Sequence, residues 1–566
     1  MSDAGFSTGR LLALYDRISE APDAIARLRR FVLDLAVRGK LVEQDSADEP
    51  ASELLKRIAM EKARLAKAGQ IKLRKVKARD REDPLVFPLP NGWAMSDLGS
   101  VAFKITDGAH KTPNYVESGV PFVSVKDFSG GRLNLSSTRF ITEAEHKSLY
   151  QRCDPRRGDI LLGRIGTLGK AVLVDTDVEF SLFVSVGMIR FDPDNIDPHF
   201  FRLLLNSPFV EAEFDRIKIG GGTHTNKLNL GDLHTVALPL PPLAEQHRIV
   251  AKVDELMALC DRLEEERRKR EALRDRLTTA SLTRLTALEA DGEAFKPHAR
   301  FALDNLPALT ARPDQMKTLR QTILNLAVRG KLVEQRPTEE PAPILDGEIP
   351  ADLERPFGIP STWHWVRLAA LGKLKGGGTP SKARDDFWNG GIPWVSPKDM
   401  KVDYIGEAQM YITEEAALGS AVTLIEPESV LFVVRGMILA HSFPVAISRV
   451  PLTINQDMKA IVLKKPAMAE YLLRALKGLK PEMLARIKRS SHGTCRIEAS
   501  DYGDFLVPIP PLAEQRRIVA KVDELMAHCD RLESNLTPAD TTRHRLLNAL
   551  LHEALDPAAG TREAAE

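Results

Sequence analysis

Apolar residues recur at alternating steps of four and three along two stretches of the chain. In the first stretch they are Ile249, Val253, Leu256, Cys260 and Leu263. This is the a/d spacing of a seam between packed helices. No Pro or Gly interrupts the pattern between Pro242 and Gly292, which predicts one helix of about 40 residues, or about 60 Å.

The second stretch repeats the seam at Ile518, Val522, Leu525, Cys529 and Leu532. Here we expect the helix to stop near Pro538.

Two shorter amphipathic helices are predicted before residue 70. The first begins after Pro22 and Asp23. It places five apolar residues on one face: Ile25, Leu28, Val32, Leu35 and Ala36. The second covers residues 51–67 and follows Pro50. We expect the helices of the chain to pair antiparallel and to hold the modules between them a fixed distance apart.

Short β-rich runs, broken by Gly, Asp and Pro, fill the regions between the helical stretches. They lie at residues 159–163, 171–175, 180–191, 429–434 and 460–463. Each region is therefore predicted to be an α+β module with a compact twisted sheet and surface loops.

The helical segments are near-identical copies, whereas the modules are not. Residues 241–264 return at 510–533 with only positions 247/516 and 259/528 differing, and the pattern of residues 28–44 returns at 319–335. Weaker matches join residues 119–127 to 391–399 and 89–93 to 359–363. We infer that the framework makes the same contact twice and that the modules make two different contacts. A recent duplication with uneven drift is the alternative.

These boundaries divide the chain into five predicted regions. A helical framework covers residues 1–84, and a central helical spacer covers 241–345. The modules cover 85–240 and 346–509, and a C-terminal helical region covers 510–566. The predicted fold class is α+β, with two modules separated by long antiparallel coiled-coil helices in a pseudo-twofold internal repeat.

Composition excludes several classes of protein. The chain has 566 residues, 43% of them hydrophobic, and no apolar run of the roughly 18 residues that a membrane span needs. The N-terminus lacks the pattern of a secretion signal. The four cysteines form no CxxC pair, so neither a zinc site nor a disulfide framework is expected. We predict a cytoplasmic protein with no membrane partner and no metal site.

Charge is balanced overall but not locally. The formal net charge is +1, yet residues 56–81 hold 11 Lys or Arg and 2 Asp or Glu. This segment suits a polyanion, but a solvated helix face with a linker is the preferred interpretation of a single charge run. Residues 85–240 hold 16 basic and 18 acidic residues, and residues 355–509 hold 20 and 15. A DNA-binding face would therefore require segregated charge.

The repeated motifs PPLAEQxRIVAKVDELM and LAVRGKLVEQ resemble the repeated regions of the specificity subunit of type I restriction–modification enzymes. The module openings FPLPNGW and IPSTWHW, ITDGAHKTP and LKGGGTPSK, and GVPFVSVKD and GIPWVSPKD are similar to those of that family's target recognition domains. The resemblance covers nearly the whole chain.

The resemblance implies that each module reads one half of a split site on double-stranded DNA. It also implies that the helices dock two methyltransferase subunits, which motor-nuclease subunits join. No cofactor is expected in this chain, while the partner subunits would use S-adenosylmethionine, ATP and Mg, with methylation at N6 of adenine. A rod of about 60 Å would separate the half-sites by roughly two DNA turns.

Candidate DNA contacts are polar or cationic residues in glycine-containing loops and after apolar strands. In the first module they are His110, Lys111, Thr112, Arg164, Lys170, Thr223, His224 and Lys227. In the second they are Thr379, Ser381, Lys382, Arg435, Lys488, Arg489 and His492. Each could instead be a turn or surface residue. Arg164 and Arg435 are predicted to occupy matching places, each just after an apolar strand.

Trp93 and Trp363 mark the module entries. They could stack on bases, but anchoring each module onto its helix is the preferred interpretation.

Catalytic motifs are not found in the sequence. The only Pro-Pro pairs lie in PLPPL and PIPPL, so the [ND]PP[YFW] loop of an amino-methyltransferase is missing. The run at residues 163–171 has the wrong spacing for a phosphate-binding loop. We predict a non-catalytic subunit that recognises DNA and assembles catalysts. The rival hypotheses are a self-contained methyltransferase or nuclease and a pure protein adaptor.

Overall fold

The structure is a computed structural model of the chain. It describes residues 9, 12, 13, 15, 21 and 23–555, apart from 73–86, 167, 221–225, 287–291, 337, 343–348, 350–354 and 490–492. The chain divides into two compact units, residues 1–268 with 540–566 and residues 269–539. Each unit contains one module and framework helices.

The first framework helices form where the amphipathic pattern predicts them. Helix α1 covers Ala24–Val37 and helix α2 covers Ala51–Lys67. All five apolar residues predicted for one face of α1 are buried.

The first module follows α2. Its elements, in chain order, are β1 (Ala94–Asp97), α3 (Leu98–Val101), β2 (Ala102–Asp107), β3 (Tyr115–Val116), β4 (Val120–Val123), β5 (Arg139–Ile141), α4 (Glu143–Tyr150), β6 (Ile160–Gly163), β7 (Ala171–Leu173), β8 (Ser181–Leu182), β9 (Val186–Phe191), α5 (Pro198–Leu205), α6 (Pro208–Ile217), α7 (Leu230–Leu233) and β10 (Ala237–Leu240).

These strands form two four-stranded sheets, not the single sheet that the sequence predicted. One sheet has the order β2-β9-β6-β7 and the other β3-β5-β4-β8. The run predicted at residues 180–191 is divided between them, because β8 pairs parallel with β4 while β9 pairs antiparallel with β6. A third pairing, β1 with β10, brings the two ends of the module together.

A long helix leads from the first module to the second framework segment. The helices are α8 (Leu243–Thr286), α9 (Gly292–Asp304), α10 (Leu306–Leu309) and α11 (Pro313–Val328). Helix α8 has 44 residues, and its five predicted seam residues are buried. The single-helix prediction is confirmed.

The second module repeats the layout of the first. Its elements are β11 (His364–Arg367), β12 (Gly372–Gly376), β13 (Trp388–Val395), β14 (Tyr404–Ile405), β15 (Met410–Ile412), α12 (Glu414–Gly419), β16 (Leu424–Ile425), β17 (Val430–Val433), β18 (Val445–Ser448), β19 (Leu452–Ile454), β20 (Met458–Leu463), α13 (Ala469–Gly478), α14 (Lys480–Leu484), β21 (Lys488–Arg489), β22 (Cys495–Arg496), α15 (Ala499–Gly503) and β23 (Leu506–Ile509).

Strand pairing establishes which residues of the two modules correspond. The sheet β12-β20-β17-β18-β14 repeats β2-β9-β6-β7 with one added strand, and β15-β13-β19 repeats β5-β4-β8, with β16 added beside β19. Strand β4 pairs parallel with β8 as β13 does with β19, so Val123 corresponds to Val395. In both modules a serine after this strand caps a turn by bonding to an aspartate three residues on, Asp127 or Asp399.

The last helix, α16, covers Leu512–Leu555 and runs through Pro538. The prediction that it stops near this proline is wrong. Proline removes one amide donor and strains the preceding turn, but the residues on both sides of it continue the helix. Of the predicted seam, Ile518, Val522 and Cys529 are buried, while Leu525 and Leu532 are half-buried and pack against the same core.

The helices of each unit pack antiparallel. In the first unit, Arg29 of α1 pairs with Asp261 and Glu264 of α8, while Gln44 beyond α1 contacts Glu245 at the start of α8. In the second unit the corresponding Arg320 pairs with Asp530 and Glu533 of α16. The predicted antiparallel pairing is therefore confirmed within each unit.

A joint of identical residues links framework and module in both units. Glu245 accepts hydrogen bonds from Trp93 Nε1 at 2.9 Å and from Gln44 Nε2 at 2.7 Å. Glu514 accepts the same bonds from Trp363 at 3.0 Å and from Gln335 at 2.6 Å. Each glutamate comes from PPLAEQ and each glutamine from LAVRGKLVEQ. In each unit, one glutamate therefore joins the two repeated motifs to each other and to the tryptophan that opens the module. This contact supports the anchoring role of the tryptophan.

The buried joint glutamates make stability dependent on pH. Burial raises the pKa of Glu245 and of Glu514, although hydrogen bonds from Trp and Gln act in the opposite direction. Between the ordinary and the raised pKa, the folded chain binds more protons than the unfolded chain, so the free energy of unfolding falls as pH rises through this window.

We expect this pH dependence to be weaker in the double variant Glu245→Gln, Glu514→Gln. The measurement is the melting temperature from about pH 4 to about pH 7, around the glutamate pKa. Glu266→Gln, at an exposed position of α8, should leave the profile of the parent chain unchanged. Identical profiles for the double variant and the parent would contradict the prediction.

Within the described part of the chain, none of the helices combines the length and the apolar content needed to cross a bilayer.

Candidate nucleic-acid interface

In the second module, one tight turn contacts the loop predicted to meet DNA. The turn at residues 455–457 joins β19 to β20, and the loop at residues 376–382 begins at the end of β12. Thr379 Oγ1 donates to Gln456 Oε1 at 2.5 Å. Gly377 lies so close to the turn that a Cβ there would be 2.0 Å from the Asn455 carbonyl oxygen. Only glycine allows this approach of the two backbones.

The same turn holds the predicted arginine. Arg435 Nε donates to Asp457 Oδ1 at 2.6 Å, and the Arg435 amide donates to the Asp457 carbonyl at 3.2 Å. The Arg435 side chain is 52% exposed. Its guanidinium is therefore oriented by Asp457 and still open to solvent.

A basic hairpin completes this surface. Strands β21 and β22 pair Lys488 with Arg496, and Arg496 also forms an isolated bridge with Arg435. Lys488, Arg489 and Arg496 are exposed. The structure thus brings together the three segments predicted separately for this module. His492 lies outside the described residues.

In the first module the equivalent loop and turn meet through two backbone bonds, of which the first recurs in the second module, where the Gly378 amide donates to the Ile454 carbonyl at 2.9 Å. The turn at residues 183–185 joins β8 to β9. The Ala109 amide donates to the Leu182 carbonyl at 2.7 Å, and the Val184 amide to the Ala109 carbonyl at 2.9 Å. A Cβ on Gly108 would lie 1.9 Å from the Leu182 carbonyl oxygen. His110, Lys111 and Thr112 are exposed on this loop.

Lys227 occupies the position of Arg496. It forms isolated antiparallel bridges with Ile165 and Ile219, whereas Arg496 forms an isolated bridge with Arg435 and pairs with Lys488 within the β21–β22 ladder. The first module therefore has the antiparallel bridge Ile219–Lys227 where the second has β21 and β22, with one exposed lysine in place of the exposed arginine. Thr223 and His224, on the segment before Lys227, lie outside the described residues.

Arg164 does not lie at this surface. Its side chain is only 8% exposed, and Nη1 donates to Asp107 Oδ2 at 2.5 Å and to the Val184 carbonyl at 3.0 Å. Burial lowers the pKa of Arg164, while the charge of Asp107 opposes that shift. A side chain so enclosed has little surface with which to meet a phosphate or a base.

The predicted match between Arg164 and Arg435 is off by one residue. The Arg164 amide donates to the Ser185 carbonyl, and the equivalent bond to Asp457 comes from Val434. Arg435 therefore corresponds to Ile165. Because successive side chains of an extended strand point to opposite faces, this shift turns Arg164 inward and Arg435 outward.

Asp107 is the centre of a charged cluster beneath the first loop. Its side chain is 1% exposed, and it accepts from Arg164 and from Arg152 Nη1 at 3.2 Å, with His110 Nε2 also 3.2 Å away. Arg152 also donates to the Asp107 and Gly108 carbonyls. These bonds hold the loop against the sheet. The second module has Gly376 where the first has Asp107, so its loop is fixed differently.

The remaining predicted residues lie on several parts of the modules. Lys170, just before β7, is half-buried and donates to the Ser129 carbonyl. Ser381 and Lys382 are exposed, and Trp388 Nε1 donates to the Ser381 carbonyl at 3.2 Å. The described residues include no cluster of His, Cys, Asp or Glu side chains able to hold a metal ion.

Sequence reasoning missed Gln456, Asp457, Arg152 and Arg496. The first two lie in the polar triplet Asn-Gln-Asp between two apolar runs, which is a turn signal in the sequence. Neither arginine has a comparable signal, because both act on partners distant in the chain.

Both repeats match one family model, that of the type I restriction modification DNA specificity domain. The matched segments are residues 90–273 and 360–538, more than half of the chain. The chain belongs to this family. The prediction from the repeated motifs, a type I specificity subunit, is confirmed.

Two relatives align with this chain over most of its length, and a third aligns over a shorter segment with higher identity. The EcoAI specificity subunit of Escherichia coli is 27% identical over 594 residues, and the EcoEI subunit of the same organism is 27% identical over 599. Both alignments cover 94% of this chain and 94% of the relative. The EcoR124I/EcoR124II specificity subunit of Escherichia coli is 38% identical over 175 residues, which cover 31% of this chain and 42% of that one.

Two solved chains are also similar. One comes from a structural study of complex assembly and conformational transition of the type I R-M system, with 22% identity and a TM-score of 0.48. The other is the HsdS subunit from Thermoanaerobacter tengcongensis, with 22% identity and a TM-score of 0.39. Each comparison covers 83% of this chain and 98% of the solved chain.

Proposed function

We propose that this chain reads a bipartite, asymmetric DNA site, with one half-site for each module. The observation that carries the proposal is a contrast within the chain. The joints Trp93–Glu245–Gln44 and Trp363–Glu514–Gln335 have identical residues and bonds. The loops and turns that the modules present on equivalent strands have different residues.

Two readers on one scaffold explain this contrast. The loop carries His110 and Lys111 in the first module and Thr379 and Pro380 in the second. Base edges are distinguished by hydrogen-bond donors, acceptors and methyl groups. Different side chains at equivalent positions therefore favour different bases.

The proposed set of DNA-contacting residues includes all of the predicted residues except Arg164. Exposed cations would meet phosphates and position the module, while polar side chains of the loops would meet base edges. The described members are His110, Lys111, Thr112, Lys170, Lys227, Thr379, Ser381, Lys382, Arg435, Lys488 and Arg489, and Arg496 joins them. Arg164 instead supports the first loop from below.

The repeated framework suits two copies of one partner. We propose that its two equivalent surfaces each bind a methyltransferase subunit, and that motor-nuclease subunits join through these. S-adenosylmethionine, ATP and Mg would belong to the partners, and this chain would guide their reaction in the cytoplasm without catalysing it.

Exchange of one module tests the two-reader proposal. We expect replacement of residues 85–240 by the module of another specificity subunit to change one half of the recognised site completely. The other half should be retained, because residues 355–509 are untouched. Mapping of methylated sites in cells that express the chain with its methyltransferase partner measures the outcome.

The reciprocal exchange of residues 355–509 is the matched control and should change only the other half-site. A change in both halves, or in neither, contradicts the proposal. If the exchange reduced the amount of assembled complex, and the complex that still formed methylated the original site, the pure adaptor would be favoured instead.

A further inference from the structure

A turn joins the strand of the parallel pair, β8 or β19, to the next strand, β9 or β20, which lies inside the sheet that contains β2 or β12, and this turn differs in polarity between the two modules. In the second module it is Asn455, Gln456 and Asp457, and Gln456 is exposed at its apex. In the first module it is Phe183, Val184 and Ser185. The two turns begin with the same backbone bond, since the amides of Phe183 and Asn455 donate to the carbonyls of Val123 and Val395, respectively, each at 2.9 Å.

Both turns lie within the candidate interface. Each lies against the glycine of its own loop, Gly108 or Gly377, at a separation that excludes a Cβ. In the second module the turn contacts the loop through Thr379 and the strand end through Arg435.

We propose that this turn is a base-reading element of each module, and that Gln456 reads a purine, preferentially adenine, in the major groove. The inference rests on the proposed function and extends it to a residue that was not among the predicted contacts. Val184 would occupy the equivalent place in the first module and favour contact with a thymine methyl group.

The carboxamide of Gln456 has the donor–acceptor pair that adenine requires. Nε2 can donate to N7 while Oε1 accepts from N6. Thr379 uses one lone pair of Oε1, and an amide oxygen has two. The Thr379 bond therefore orients the amide and leaves both groups available. Thr379 is thus a positioning residue for Gln456.

Asp457 plays a comparable part for Arg435. Its Oδ1 accepts from Arg435 Nε and its Oδ2 accepts from Asn455 Nδ2 at 3.3 Å. This pairing leaves the terminal guanidinium nitrogens of Arg435 for DNA, immediately beside Gln456.

The test compares Gln456→Val, which installs the residue of the first module, with the parent chain. Each is assembled with its methyltransferase subunits and allowed to select from DNA in which one half-site at a time is randomised. We expect the preference at one position of the second module's half-site to fall about tenfold, as for loss of a bidentate contact. The other half-site should be unchanged. Gln456→Glu, which replaces the donor by a carboxylate, should shift preference at the same position.

Gln409→Val is the matched control, at another exposed glutamine of the same module. Equal melting temperatures of the variants establish that folding is intact. Unchanged base preference in Gln456→Val would overturn the inference, as would a uniform loss of affinity for all sequences. In either case, an exchange of residues 355–509 that still changes the half-site would leave the proposed function standing. An exchange without effect would remove both.

Discussion

Replacement of Arg164 by methionine is expected to lower the free energy of unfolding by about 3 kcal/mol. The change leaves the buried Asp107 carboxylate without its closest cation and takes donors from the Val184 and Leu228 carbonyls. Breaking a buried ion pair from one side costs about 3–5 kcal/mol. The lower end applies here because Arg152 still contacts Asp107. Urea unfolding of the full chain measures the loss.

Arg435→Met is the control that separates burial from charge. The Arg435 side chain is half-exposed and its partner Asp457 is 26% exposed. Solvent screens such a pair, so the loss of stability should stay within about 1 kcal/mol. The proposed function adds that Arg435→Met weakens DNA binding in the folded protein. Similar stability losses in the two variants would contradict the structural distinction drawn between them.

The framework was predictable because its signals are local and repeated. Seam residues such as Ile249 and Val253 recur at the helical period, and a long run without Pro or Gly has no alternative to a helix. Anchoring was the preferred interpretation of the two tryptophans because each follows turn-forming residues at a domain boundary. The glutamate partners of these tryptophans could not be predicted, because spacing within one helix does not reveal its contacts across the fold.

The loops of the candidate interface were predictable from the sequence, but the register of the strands beside them was not. Glycine-rich segments such as residues 376–382 indicated where backbone approaches closely. Whether Arg164 or Ile165 faces outward depends on the pairing of β6 with β9, and a shift of one residue reverses the face. Pairing depends on residues distant in the chain, so sequence alone treated two unlike arginines as equivalent.

The division of each module into two sheets was missed for a related reason. Residues 180–191 are apolar almost throughout and predict one strand. The turn at residues 183–185 breaks the run, but its residues Phe, Val and Ser are not typical turn formers. The tertiary bonds to Ala109 impose this turn, whereas the equivalent turn at residues 455–457 does carry turn residues in its sequence.

Gly39→Ala is expected to destabilise the first unit by about 2–4 kcal/mol. Gly39 ends α1 with φ of 67°, a left-handed conformation that strains any residue with a Cβ. A Cβ would also lie 2.3 Å from Pro90 Cγ. Overpacking of this kind costs about 1–3 kcal/mol in addition to the backbone strain. The free energy of unfolding of the full chain in urea measures the effect.

Gly69→Ala separates the backbone strain from the overpacking, because it introduces only the strain. Gly69 ends α2 with φ of 71°, and the amide after it bonds five residues back, as it does after Gly39. A Cβ on Gly69 meets nothing within 4 Å. Its substitution should therefore cost only the backbone strain, about 1 kcal/mol.

The second unit provides an independent repeat of the experiment. Gly330 has φ of 66°, and a Cβ there would lie 2.4 Å from Pro360 Cγ. Gly330→Ala should match Gly39→Ala, because the same packing of helix end, proline and tryptophan recurs in both units. Equal losses for Gly39→Ala and Gly69→Ala would mean that the contact with Pro90 relaxes freely. The small size of glycine would then not be required at the joints. The left-handed backbone conformation alone would explain why both copies of LAVRGKLVEQ contain a glycine.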